Sequence, residues 1–332
     1  MANDTPLRDY GSNKPNIETI VDALDFAADL SPDQTAIICG DDRISYRQYR
    51  HAVAAFAHDL KKFDCRGKRI VVLMGNSIET SVAIYAVWAA GGVLVMLNPM
   101  YTENELGPLI ADADPCAVIC ASALQDKIVP IATGAGVEKV VALGPGATVF
   151  SDWLALEERK LPEPRPAAQD AASLQYTGGT TGLPKGARHL HSGIVETTRQ
   201  IDWAWVEKPG GHIWLDVAPQ FHIWGLCMTA LVPTYARDTL VLIKEFQPAQ
   251  VLDAMARHKV TMFAGGPAPI FHALMGQPEF RGTDFSSLRL VGGGGSPFAF
   301  ETFRAWEAVT GCSINQGLGM SEAAPLALNP CH

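Results

Sequence analysis

LQYTGGTTGLPKG, residues Leu174 to Gly186, is the stretch from which the rest of the chain can be read. From Tyr176 to Gly186 it packs three hydroxyls (Thr177, Thr180, Thr181), four glycines (Gly178, Gly179, Gly182, Gly186) and Lys185 into eleven residues. Glycine lets a main chain approach oxygen atoms closely with its N–H groups turned inward; threonine donates and lysine adds a point charge. That mixture suits a polyphosphate. A β-prone run, Ser173–Tyr176, leads in and a helical pattern from Ser192 follows, which predicts a loop at a strand's carboxyl end, where open α/β sheets bind ligands. The segment is not a Walker A loop, because Lys185 follows Pro184 and precedes Gly186 instead of Ser or Thr.

The segments on either side share one rhythm. Ser45 is a candidate N-cap for a helix over Ile44–Asp59, with Tyr46, Tyr49, Val53 and Phe56 at helical spacing. Arg69–Gly75, Val93–Leu97, Ala117–Ala121 and Lys139–Leu143 read as short buried strands, with helices over Asn76–Ala90 and Glu103–Ala111 between them. The Pro- and Ala-rich run Ser151–Ala172 reads as a connection with a short helix near Trp153. After the loop the pattern predicts strands at Ile213–Val217, Thr239–Ile243, Met262–Ala264 and Leu288–Val291. Helices are expected at Ser192–Trp205, Trp224–Tyr235, Pro248–His258, Pro269–Met275 and Pro297–Thr310. The β-then-α order predicts an α/β fold with mostly parallel sheets covered by helices.

Composition agrees. The 332 residues are 48% apolar and 18% charged, ample for a large core. The net charge of −9 argues against nonspecific affinity for nucleic acid or anionic membrane. The longest apolar run, Val82–Leu97, is too short for a membrane span and is interrupted by Gly91 and Gly92. Seven scattered cysteines and a polar N-terminus predict a cytoplasmic protein, with Cys116 and Cys120 as small core residues. His189 and His191 form an H-x-H pair, but no Cys, Asp or Glu completes a metal set nearby, so loop or cap roles are expected. Gly292–Gly295 after a strand hints at a dinucleotide fold, but Pro297 stands where that fingerprint needs its last glycine.

Four further segments appear in order: LNPMYTENEL at Leu97–Leu106, PQFHIWG at Pro219–Gly225, GGGGSP at Gly292–Pro297 and QGLGMSEA at Gln316–Ala323. With the loop, they closely resemble the motifs of the adenylate-forming superfamily, of the acyl-CoA synthetase type, over roughly residues 30–332. The resemblance implies two packed, mostly parallel sheets flanked by helices (αβαβα), with residues 69–205 as one subdomain and residues 1–68 plus 206–332 as the other. It implies that a carboxylic acid is activated by ATP to an acyl-adenylate and then transferred to coenzyme A, with Mg²⁺ as the metal. Thr177, Gly178, Gly179, Thr180, Thr181, Gly182 and Lys185 would hold the phosphates, and Glu322 and Thr181 the metal. Gly293, Gly294, Gly295, Ser296, Pro297, Gln316, Gly317, Leu318, Gly319, Met320 and Ser321 would line the adenine and AMP. His222, Trp224, Met228, Phe263, Gly265 and Gly317 would border the acyl group. Lys185, His222 and Glu322 are the implied catalytic residues.

Some positions depart from the family pattern. His222 stands where amino-acid-activating relatives carry Asp, so the expected acid has an apolar, uncharged acyl or aryl tail. Leu318 replaces the usual adenine-packing aromatic, which implies nucleotide binding weaker by about 1 kcal/mol. The family's T-G-D segment, β-barrel and mobile C-terminal domain with its lysine have no counterpart before His332. A short chain that holds ATP but has little activity without a C-terminal partner, in cis or trans, is therefore expected. A non-catalytic ATP- or acyl-binding module stays open as the alternative.

Overall fold

A computed structural model describes residues 16–177, 185–206 and 210–329 of the chain. The strands are β1 (Thr35–Cys39), β2 (Asp42–Ser45), β3 (Arg69–Leu73), β4 (Val93–Met96), β5 (Ala117–Ala121), β6 (Val140–Leu143) and β7 (Ala171–Tyr176). They continue with β8 (Gly186–Leu190), β9 (Ile213–Asp216), β10 (Thr239–Leu242), β11 (Met262–Gly266), β12 (Leu290–Gly294), β13 (Ile314–Met320) and β14 (Ala323–Leu328). An eight-stranded sheet has the order β14-β13-β12-β11-β9-β10-β1-β2, and a six-stranded sheet the order β6-β5-β3-β4-β7-β8. Both are parallel except at their ends, where β1–β2, β13–β14 and β7–β8 are antiparallel.

Alternation along the strands sorts the core into three layers. Ile70 and Val72 of β3 face a central layer shared with Trp214 and Met262 of the larger sheet, while Val71 and Leu73 face outward onto helices Glu103–Ala113 and Gln125–Gly134. Leu215, Phe263 and Val291 point to the far side of the larger sheet, under helices Pro248–Arg257, Ala268–Met275 and Phe300–Thr310. The central layer holds helices Tyr46–Lys61 and Ile78–Ala89. Every residue of Ile78–Ala89 except the half-buried Glu79 is buried, as its apolar character on all sides requires. The order is helices, sheet, helices, sheet, helices, the αβαβα arrangement expected. The run Val82–Leu97 is the end of that helix, a turn at Gly91 (φ +79°) and strand β4.

Local signals act as read at Ser45, whose hydroxyl accepts from the Gln48 N–H (3.3 Å) while Gln48 Oε1 accepts from the Ser45 N–H (2.9 Å). Several boundaries differ. The segment after the phosphate loop is not directly a helix: Gly186–Leu190 forms β8 and folds back on β7, pairing Tyr176 with Gly186 and Ser173 with His189. The loop therefore joins two arms of a hairpin. The short, polar GARHL run carries little apolar alternation, which is why the strand is hidden in the sequence. Helix Trp224–Tyr235 is a composite of α-turn Ile223–Gly225, π-turn Leu226–Leu231 and α-turn Val232–Ala236. Gly292–Gly294 continue strand β12 and only Gly295 (φ +77°) turns the chain, so the next helix starts at Phe300.

Candidate functional site

The carboxyl ends of β9, β11, β12 and β13 open onto a cavity of about 450 Å³. Its apolar wall comes from Val217, Pro219, Ile223, Trp224, Pro267 and Ile270, and its polar edge from His222 and Ser321. A second cavity of about 570 Å³ is lined by Ser296, Pro297, Gln316, Leu318, Ala327 and Asn329. Gly294, Gly295, Gly317 and Gly319 line both, so the two spaces meet over a floor of bare backbone. Two of these glycines have no room for a side chain: a Cβ on Gly294 would lie 2.4 Å from Gly317 O, and one on Gly317 2.9 Å from Leu328 Cδ2.

The loop that carries His222 is held from the smaller sheet. Asn76 Nδ2 donates to Ala218 O and Ile243 O (both 3.0 Å), and Asn76 Oδ1 accepts from the Gln220 N–H (2.7 Å). The buried Gln220 amide donates to Ser81 Oγ (2.8 Å), and Gln175 on β7 donates to Phe221 O (2.9 Å). His222 Nδ1 accepts from the Trp224 N–H (3.2 Å), so a neutral ring carries its proton on Nε2. The ring is exposed into the cavity, not packed in the core, and the concave walls around it lower its pKa.

Beneath this loop, Asp216 ends β9 fully buried; Oδ1 accepts from the Ala218 N–H (2.6 Å) and Oδ2 has no hydrogen-bond partner among the described residues. Burial raises its pKa well above the ordinary carboxylate value. The folded state therefore keeps a proton that the unfolded chain releases above about pH 3.9, and stability falls as pH rises from there. Asp216→Asn, which mimics the protonated acid, is expected to raise the melting temperature at pH 8 and change it little at pH 4. An equal shift at both pH values would contradict this account.

Thr177 and Lys185 close the base of the phosphate loop through the Thr177 N–H to Lys185 O bond (3.0 Å), and the Lys185 side chain is exposed. Tyr176 donates to Asp112 Oδ2 (2.5 Å), and burial pushes the Tyr176 hydroxyl pKa up. Gly178, Gly179, Thr180, Thr181 and Gly182 lie outside the described residues. Ser321 and Glu322 occupy the turn of the β13–β14 hairpin, where Met320 pairs with Ala323, and Glu322 is exposed. The glycines before them, Gly317 and Gly319, are part of strand β13. His189 Nε2 donates to Ser321 O (2.8 Å), so the two hairpins touch.

Of the six expected acyl-pocket residues, His222, Trp224, Gly265 and Gly317 line the first cavity. Met228 and Phe263 do not. Met228 is fully buried in the central layer, and Phe263 points to the opposite face of the larger sheet, packed on Phe271 and Trp306. Gly293 also lies off the cavities: a Cβ there would meet Ile314 and Phe298. The other expected adenine residues line one cavity or both. Ile223, Gly266 and Ile270 are wall residues that sequence reading did not single out; Gly266 ends β11, and the other two stand on the helical segments Ile223–Gly225 and Ala268–Met275. Among the described residues no group of three or more His, Cys, Asp or Glu could hold a metal by itself. No helix among them is long and apolar enough to cross a membrane.

The family model for AMP-binding enzymes matches residues 24–332. The chain is 29% identical over 349 residues to the long-chain-fatty-acid–CoA ligase of Bacillus subtilis (strain 168), covering 94% of this chain and 61% of that protein. It is 32% identical over 272 residues to 4-coumarate–CoA ligase 5 of Oryza sativa subsp. japonica, covering 79% of this chain and 49% of that one. The crystal structure of apo MatB from Rhodopseudomonas palustris superposes with a TM-score of 0.85 at 29% identity, covering 94% of this chain and 62% of MatB. The chain thus spans about three fifths of the first and last of these proteins, and with a family model covering nearly all of it, it belongs to the AMP-binding enzyme family.

Proposed function

We propose that this chain is the adenylate-forming part of an AMP-forming carboxylate–CoA ligase. The observation that carries the reading is the pair of cavities meeting over Gly294, Gly295, Gly317 and Gly319. One is apolar and suits an acid's tail; the other, beside Ser296, Gln316 and Leu318, suits a nucleotide. An acyl-adenylate is a molecule of that shape. The acid's carboxylate would lie near His222, whose Nε2–H can donate to it, and would attack the α-phosphate of ATP with loss of pyrophosphate. Such a step needs charge neutralisation and positioning more than a protein nucleophile. Lys185 with the Thr177–Gly182 segment would hold the leaving phosphates.

Glu322 fits Mg²⁺ as a single exposed carboxylate sharing a hard cation with phosphate oxygens, the arrangement that cation commonly takes; Thr181 would assist. When bound, Mg²⁺ would supply charge neutralisation at the phosphates. Coenzyme A would be the acyl acceptor. Among the described residues lining the first cavity none is acidic or permanently cationic, which supports an uncharged tail. Relatives named for fatty and for coumaric acids support an aliphatic or aryl one. Residues 69–205, and 1–68 with 206–332, are proposed as two subdomains built on the two sheets.

The test is carboxylate-dependent ATP–pyrophosphate exchange, by the chain alone and with the C-terminal portion of a relative added in trans. Saturable Mg·ATP binding by the chain, with exchange appearing on complementation, is expected; Lys185→Ala should weaken the Mg·ATP binding severalfold. Binding without exchange for any acid would favour the binding-module reading, and absence of both would reject the site.

A further inference from the structure

We infer that His189 is a positioning residue that sets the orientation of the Ser321–Glu322 turn against the phosphate hairpin; this rests on the adenylation reading. His189 stands on β8, opposite Ser173 and four residues after Lys185, on the arm that leads away from the loop. Its Nε2 donates at 2.8 Å to the carbonyl of Ser321, across 132 residues of sequence and from the smaller sheet to the larger. The carbonyl oxygen of Ser321 and the amide nitrogen of Glu322 belong to one planar peptide unit. A hydrogen bond to that oxygen therefore orients the plane from which the Glu322 Cα departs. The other arm is secured separately, by Tyr176 to Asp112 within the smaller sheet's own layers. The hairpin is thus tied to its own sheet through β7 and to the turn carrying Glu322 through β8.

Two features separate this from ordinary packing. Glu322 is exposed at the tip of a two-residue turn on the edge hairpin of its sheet, so its own side chain is not packed into place. The bond also runs to main chain, so it acts on the turn whatever side chain stands at position 321. The consequence is selective. Loss of the bond should weaken binding that uses the metal and the terminal phosphates, but not binding confined to the glycine floor and the adenine side.

Calorimetric titration of the chain with Mg·ATP and, separately, with AMP tests this, using wild type, His189→Leu and His189→Gln, with melting temperatures as the folding check. His189→Leu removes the donor, and His189→Gln keeps an N–H of similar reach. The expected result is a Kd for Mg·ATP about two- to tenfold higher in His189→Leu, the range of one neutral hydrogen bond. AMP affinity should stay within about twofold, and His189→Gln should recover most of the loss. If His189→Leu does not fold, His189→Asn, whose amide is shorter, replaces it. Equal losses for Mg·ATP and AMP, no loss for either, or no recovery with Gln would overturn the inference while leaving the adenylation reading standing. A wild-type chain that binds neither nucleotide would overturn both.

Discussion

Replacing Gly225 by alanine is expected to lower the unfolding free energy by about 3 kcal/mol and to abolish ligand binding in the apolar cavity. A Cβ at Gly225 would stand 2.0 Å from Pro219 O, 2.6 Å from Pro219 C and 3.0 Å from Ala218 O. All three are backbone atoms, so no side chain can swing aside. The loop cannot retreat cheaply either, because Asn76 holds Ala218 O and the Gln220 N–H in place. On the other side, Gly225 O accepts from Thr229 Oγ1 (2.7 Å), which fixes the start of the composite helix. Overpacking a well-filled site usually costs about 1–3 kcal/mol, and a contact with constrained main chain lies at the upper end. Pro219 and His222 line the cavity, so a shifted loop also removes its wall. Gly107→Ala is the control: nothing lies within 4 Å of its Cβ, and inside helix Glu103–Ala113 alanine should be neutral or stabilising by up to about 1 kcal/mol. Urea unfolding of both variants reads the difference; a loss below about 1 kcal/mol at Gly225 would show that the loop yields.

The legible parts of the fold are those where one physical signal dominates. The β-branched runs at β3 and β5, the capping box at Ser45 and the glycine break at Gly91 each need only local chemistry, and the structure follows them. The hidden parts depend on partners far away in sequence. β8 is a strand because β7 lies beside it, β13 because it pairs with β12 and β14, and β14 because it pairs with β13. The Gly and polar residues of β8 and β13 and the Ala and Pro of β14 carry little intrinsic preference for strand. For the site, motif residues were easier to find than walls. Phe263 and Met228 are apolar and lie near motif residues in sequence, yet alternation turns Phe263 to the outer face, and Met228 points into the central layer. Strand periodicity alone puts Phe263 on the face opposite Met262, so the two cannot border the same space. His189 was visible in the H-x-H pair, but what it touches is the other sheet, which no spacing within the sequence reveals.

His191, the other member of that pair, should make the protein acid-sensitive. It begins helix His191–Trp205, almost fully buried, with its ring edge-on to Trp88 at 6.4 Å and Nδ1 without a hydrogen-bond partner among the described residues. Burial lowers its pKa from 6.5 to about 4, against a smaller opposing pull from Asp170 and Asp22. The sign follows from proton binding. Above about pH 6.5 the imidazole is neutral in both folded and unfolded chains, and pH does not matter to it. Below that value the unfolded chain takes up the proton first, so stability falls by up to about 1.4 kcal/mol per pH unit until the folded state protonates as well. Over the interval down to about pH 4 the accumulated loss is about 3 kcal/mol. His191→Phe keeps an aromatic ring beside Trp88 and removes the titrating group. Relative to the wild type it should therefore gain about 2–3 kcal/mol between pH 7 and pH 4.5, measured by urea unfolding at each pH. Other titrating groups contribute equally to both proteins and cancel in the difference. A gap between the two that does not change with pH would mean that the His191 pKa is the same in the fold as in the unfolded chain, the pull of Asp170 and Asp22 offsetting burial in full.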